Sequence, residues 1–85
     1  MKYKSIKLYK TTFCGDCFLA DRFFAENNII VNETINIDED VNAAAIVLEI
    51  NGGYRSVPII IIDRQDDTQE ILVEPSWKQL EEAFK

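Results

Sequence analysis

The sequence predicts an α/β fold in the order β-α-β-α-β-β-α, a four-stranded mixed sheet flanked by three helices. Three observations carry this. Ile59-Ile60-Ile61-Ile62 is an apolar run without alternation, as in a strand buried on both faces. Ahead of it lie two segments of helical character, 17–26 and 41–50, and each follows a strand-like stretch. The first two strands, joined through a helix, are expected to be parallel, whereas the polar turn at 63–68 returns the chain at once and makes an antiparallel hairpin.

The first strand is expected from Ile6 to Lys10, with Ile6 and Leu8 on its drier face and Lys7 either near the strand's open end or reaching water along its stem. Thr11-Thr12-Phe13 forms the turn into the first helix, about Cys17 to Glu26. There Cys17, Leu19, Ala20, Phe23 and Phe24 share one side, with Asp21, Arg22 and Glu26 largely opposite and Phe18 off the stripe. Asn27-Asn28 ends it, and a second strand is expected within Ile29 to Ile37. Asp38-Glu39-Asp40 supplies cap acids for a second helix, Val41 to about Ile50, because carboxylates suit the positive helix end. Asn51-Gly52-Gly53 stops that helix, glycine taking the left-handed conformation that a C-terminus needs. After the isoleucine strand, Gln69 to Val73 returns beside it, and the third strand is placed beside the first. Pro75-Ser76 opens the last helix, where Ser76 and Gln79 have capping-box spacing and Trp77, Leu80 and Phe84 form the apolar stripe.

At 85 residues the chain is read as one domain, 1–85. A domain of this size buries only about 60–65% of the surface exposed by its unfolded chain. With 47% apolar and 28% charged residues it has the composition of a folded protein, not a disordered one. No apolar run approaches the roughly 20 residues of a membrane helix. The start, Met-Lys-Tyr-Lys-Ser-Ile-Lys, lacks the apolar core of a signal peptide, so a cytoplasmic location and no membrane association are expected. A net charge of −6 argues against nucleic acid, whose phosphates such a surface repels. Lys2, Lys4, Lys7 and Lys10 are read as solvated strand-edge lysines.

The chemistry of the chain concentrates at Cys14-Gly15-Asp16-Cys17. Two thiols one helical turn apart can close and reopen a small disulfide ring, yet a bridge over so short a loop removes little chain entropy and is a poor structural staple. At a helix N-terminus, unpaired amide N–H groups stabilise a thiolate. C-x-x-C thiols there ionise at about 3.5–7.5, against about 8.5 for a free thiol. Asp16 acts the other way, since a nearby carboxylate disfavours a second negative charge, and a reducing couple is expected. Cys14 faces outward at the helix mouth and Cys17 inward.

The C-G-D-C motif after the first strand and Ser56-Val57-Pro58 before the third resemble the glutaredoxin branch of the thioredoxin fold, over essentially the whole chain. Thr11-Thr12-Phe13, the stretch from Asn51 to Pro58, and Glu74-Pro75-Ser76 look most like the small bacterial mycoredoxin-type and ribonucleotide-reductase-associated redoxins. The resemblance implies a thiol–disulfide oxidoreductase in which Cys14 is the nucleophile and Cys17 the resolving thiol. It implies that Val57-Pro58 is a cis-proline dipeptide, and that Thr12, Phe13, Gly15, Asp16, Arg55, Ser56, Val57 and Pro58 contact substrate. Its cofactor is then no bound group but the redox-active pair itself, with a low-molecular-weight thiol or a thioredoxin-reductase-like reductase as electron donor. Disulfide-containing or thiol-capped proteins are the implied substrates, and a monomer is expected.

Three positions depart from the family. Thr11 stands where a lysine is frequent, Val73-Glu74-Pro75-Ser76 where Gly-Gly-x-Asp is, and Gly15-Asp16 where Pro-Tyr is. Arg55 still offers one basic group for a carboxylate. Two rival readings stand beside the enzyme. One is a non-catalytic module binding peptides at the Val57-Pro58 edge. The other is a zinc site of four cysteines shared by two chains, since zinc wants four ligands and the chain has two cysteines and no histidine.

Overall fold

The computed structural model describes residues 3–84, so Lys2 of the lysine group lies outside the described residues. The elements are β1 (Tyr3–Lys10), α1 (Gly15–Glu26), β2 (Glu33–Asn36), α2 (Val41–Ile50), β3 (Ile59–Arg64), β4 (Gln69–Val73) and α3 (Trp77–Phe84). The sheet runs β2-β1-β3-β4, with β1 and β2 parallel and the other two pairings antiparallel. The third strand therefore does lie beside the first. The order and pairing are those expected from the sequence.

Four elements differ from their expected bounds: α1 starts at Gly15, two residues early, and β3 runs on through Asp63 and Arg64, which were read as part of the turn. β1 starts at Tyr3, three residues early, because its outer end finds β3 partners back to Arg64. β2 lies within the expected Ile29–Ile37 but takes only four of its residues, Glu33–Asn36. Asn28 takes φ 55°, Ile29 N–H closes back onto the Phe24 carbonyl at 2.9 Å, and Ile29 and Val31 tuck against the core below α1. Asn32 then spends its side chain on the Ile6 N–H at 2.7 Å, a place a strand carbonyl would otherwise take. Regular pairing begins only at Glu33 opposite Lys7.

The sheet is packed on both sides. Ile6 and Leu8 of β1 and Ile60 and Ile62 of β3 meet Ala20, Phe23 and Phe24 of α1 and Leu80 of α3. On the other side Tyr9 and Ile59 meet Ala43 and Val47 of α2, joined by Cys17, Ile37 and Val57. β1 thus buries residues on both faces, not one, because helices cover both sides of the sheet. Each fully buried side chain of this size contributes about 1.5–3 kcal/mol. Phe23 sits at the centre of an aromatic group, 5.1 Å from Trp77 and 5.9 Å from both Phe24 and Phe84.

The lysines of β1 belong to a central strand, which corrects their reading as edge residues. They are paired with acids: Lys4 with Asp67, Lys7 with Glu33 at 3.6 Å, and Lys10 with Asp21 at 3.8 Å. Local chemistry fixes the helix ends. Asp40 caps α2 by accepting from Ala43 N–H at 3.0 Å, and α2 stops where Gly52 and Gly53 take φ 65° and 104°. Ser76 and Gln79 form the expected reciprocal box, Gln79 N–H to Ser76 Oγ at 3.2 Å and Ser76 N–H to Gln79 Oε1 at 2.8 Å. None of the helices described is long and apolar enough to cross a membrane.

Candidate functional site

Lys10 ends β1, four residues pass, and α1 begins at Gly15 with Cys14 as its N-cap. Cys14 is extended (φ −152°, ψ 109°), and its Sγ accepts the Cys17 N–H at 3.1 Å, the role an Asp or Ser oxygen fills at other helices. The Cα atoms of Cys14 and Cys17 are 5.2 Å apart and their sulfurs are paired as a disulfide. The two sulfurs differ in access. Cys17 is 1% exposed within the core on the α2 side, whereas Cys14 is only partly covered.

Opposite them the chain enters β3 through a cis Val57–Pro58 peptide bond. The Val57 carbonyl lies 3.8 Å from Cys14 Sγ. Two anchors hold this segment: Asn51 Nδ2 donates to the Ser56 carbonyl at 3.0 Å, and Glu74 N–H donates to the Pro58 carbonyl at 2.9 Å. Val57 and Pro58 are buried and Ser56 half-buried. Their neighbours Tyr54 and Arg55 are exposed. Around Cys14, Thr12, Phe13, Gly15 and Asp16 all face solvent. Phe13 is 93% exposed, so it does not cover the end of the sheet. The positions singled out in the sequence thus form two rims, 12–17 and 55–58, that meet where Cys14 faces Val57.

A carboxylate not counted among these residues joins the rims. Asp38 accepts the Thr12 N–H at 3.0 Å through Oδ2 and the Arg55 guanidinium at 2.9 Å through Oδ1. The Thr12 N–H and then Arg55 hold its carboxyl below the usual 3.8. Of the acids 38–40, only Asp40 accepts the cap hydrogen bond of α2, so the reading of all three as cap acids is corrected. Asn36 helps to orient Asp38: its Oδ1 accepts the Asp38 N–H at 2.9 Å and its Nδ2 donates to Thr12 Oγ1 at 3.1 Å. The Asn-x-Asp spacing after a strand was the available signal, masked by the stronger cap pattern beside it. Arg55 is accordingly present at the rim but already paired. Among the described residues no group of three or more cysteines or carboxylates is arranged to hold a metal ion.

This arrangement supports thiol chemistry at the outer sulfur, with a second sulfur one turn behind it. Among solved structures, the glutaredoxin (grx-1) of Archaeoglobus fulgidus is similar, with a TM-score of 0.68 and 23% identity over 92% of this chain and 83% of that one. At that identity the likeness shows the fold. A comparison with curated proteins gave no match. The family model for glutaredoxin matches residues 6–66, a span from β1 through both cysteines and the cis-proline to the β3–β4 turn. The chain belongs to the glutaredoxin family.

Proposed function

We propose that this protein reduces protein disulfides or thiol-capped cysteines through the Cys14-Gly15-Asp16-Cys17 dithiol. The observation that carries the reading is the facing of Cys14 and the cis Val57–Pro58 dipeptide, with Cys17 buried one turn behind. Membership of the glutaredoxin family supports thiol–disulfide exchange as the reaction class. Closeness to the mycoredoxin-type redoxins rests on the motifs at 11–13, 51–58 and 74–76 and belongs to the same reading.

The chemistry runs as two exchanges. The Cys14 thiolate attacks one sulfur of the substrate disulfide, and the other sulfur leaves as a thiolate and takes up a proton. Cys17 then loses its proton and attacks Cys14 sulfur, which releases the reduced substrate sulfur and forms the Cys14–Cys17 bond. Two electrons have passed to the substrate. A low-molecular-weight thiol or a thioredoxin-reductase-like reductase returns them. At the N-terminus of α1, the Cys17 N–H and the helix dipole favour the Cys14 thiolate, while the Asp16 carboxylate in the same turn opposes it. The main chain at Val57 aligns an extended substrate, with Thr12, Phe13, Gly15, Asp16, Arg55, Ser56 and Pro58 around it. In this reading the protein is a single domain acting as a cytoplasmic monomer.

Reduced protein is mixed with a disulfide peptide and, separately, with a thiol-capped peptide, each reductant being tried in turn. Cys14→Ser is expected to abolish turnover of both, and turnover surviving that change refutes the proposal. Cys17→Ser is expected to impair the disulfide substrate more than the capped one. Full activity on capped substrates assigns that class to Cys14 alone.

A further inference from the structure

We propose that Asp38 is a positioning residue that sets specificity: by engaging Arg55 it disfavours thiol caps bearing carboxylates and leaves uncharged caps preferred. The inference rests on the oxidoreductase reading and names its substrate class.

The geometry gives one carboxylate two tasks. Through Thr12 it is tied to the loop that ends at Cys14, and through Arg55 to the segment that ends at Val57, whose carbonyl faces the Cys14 sulfur. Arg55 is the sole cation in residues 11–17 and 51–58, and Asp16 and Asp38 supply acids at the same two rims. A carboxylate approaching a mixed disulfide at Cys14 therefore meets a guanidinium whose charge is already balanced. It must displace Asp38, or sit beside it against like charge. The Asn36 hydrogen bonds keep Asp38 where it is, so the pairing is supported by the backbone and not by two mobile side chains alone. The depressed carboxyl keeps Asp38 charged throughout the neutral range. An uncharged cap meets no such competition.

One peptide is capped either with glutathione, which carries two carboxylates, or with 2-mercaptoethanol, which is neutral. Single-turnover reduction by the prereduced protein is followed over a range of peptide concentrations at low salt. Asp38→Asn retains an oxygen for the Thr12 N–H and removes the charge from Arg55. It is expected to shift the ratio of half-saturating concentrations about threefold in favour of the glutathione cap, the scale of an exposed ion pair. The shift falls on half-saturation and not on the limiting rate, and it disappears in Asp38→Asn/Arg55→Ala. Arg55→Ala alone, an exposed change that leaves Thr12 anchored, shifts the ratio the other way. A ratio that Asp38→Asn leaves in place, or a double variant that keeps the shift relative to wild type, overturns the inference while leaving the oxidoreductase reading intact. Wild-type protein that reduces neither cap overturns the inference, and the oxidoreductase reading falls with it only if a disulfide peptide is also left unreduced.

Discussion

Phe23 decides whether α1, and with it the Cys14 cap, is held to the sheet. It is fully buried and touches three aromatic rings, Phe24, Trp77 and Phe84, at centroid distances of 5.9, 5.1 and 5.9 Å. Truncating a buried phenylalanine costs about 3–5 kcal/mol, and edge-on ring pairs add about 0.5–1.5 kcal/mol each beyond area burial. Phe23→Ala should therefore fall at the top of that range, about 4–5 kcal/mol. A chain of this length has a total stability of roughly 4–13 kcal/mol, so the variant is expected to be partly unfolded. Phe23→Leu keeps most of the volume and should cost about 1–2 kcal/mol. Urea unfolding followed by the fluorescence of Trp77 measures both, in reduced and oxidised protein. Because the N-cap lies more than two turns away, Phe23→Leu should keep the Cys14 exchange rate within about twofold. A Phe23→Ala cost below about 2 kcal/mol would refute the claim that this aromatic group clamps α1.

Three further outcomes are expected. Ser76→Ala removes half of the reciprocal box and should lower stability by about 1 kcal/mol in the same urea assay. Glu74 holds φ 47°, a conformation that costs a side-chain-bearing residue about 1–2 kcal/mol, partly offset by the greater freedom of unfolded glycine. Glu74→Gly should thus raise stability by roughly 0.5 kcal/mol, and a loss would contradict the argument. The carboxyls of Asp38, Asp63 and Asp66 all lie below the ordinary 3.8, held there chiefly by the Thr12 N–H, the Gln69 amide and the Thr68 hydroxyl respectively. The folded state favours their charged forms, so their contribution is present above about 3.8 and lost as pH falls through the lower folded values. The melting temperature should therefore drop below about pH 4, and Asp63→Asn should make that drop shallower.

The sequence made most of the frame legible because its signals are local. The capping pair Ser76 and Gln79, the stop at Gly52-Gly53 and the isoleucine strand each act over a few residues, and each is where it was expected. The start of β2 misled because Ile29, Ile30 and Val31 look like strand by composition. Their placement is decided by the left-handed Asn28 and by the Asn32 side chain reaching Ile6, a contact across 26 residues. Asp38 was hidden for the same reason. Its partners Thr12 and Arg55 are 26 and 17 residues away, and the local Asn36-x-Asp38 spacing is a weaker signal than the cap pattern two places on. The cysteines were legible as a pair, and their unequal burial followed from the helical stripe.

The direction of β3 has a practical consequence. Its first residue follows Pro58 at the cysteines, and its last, Arg64, leads into the turn to β4. Six residues at about 3.3 Å each place that turn roughly 20 Å from the reactive sulfur. The hairpin tip at 65–68 is thus a handle at the far pole of the molecule. A fluorophore, tether or short insertion carried there reports on the protein without standing in the path of a substrate.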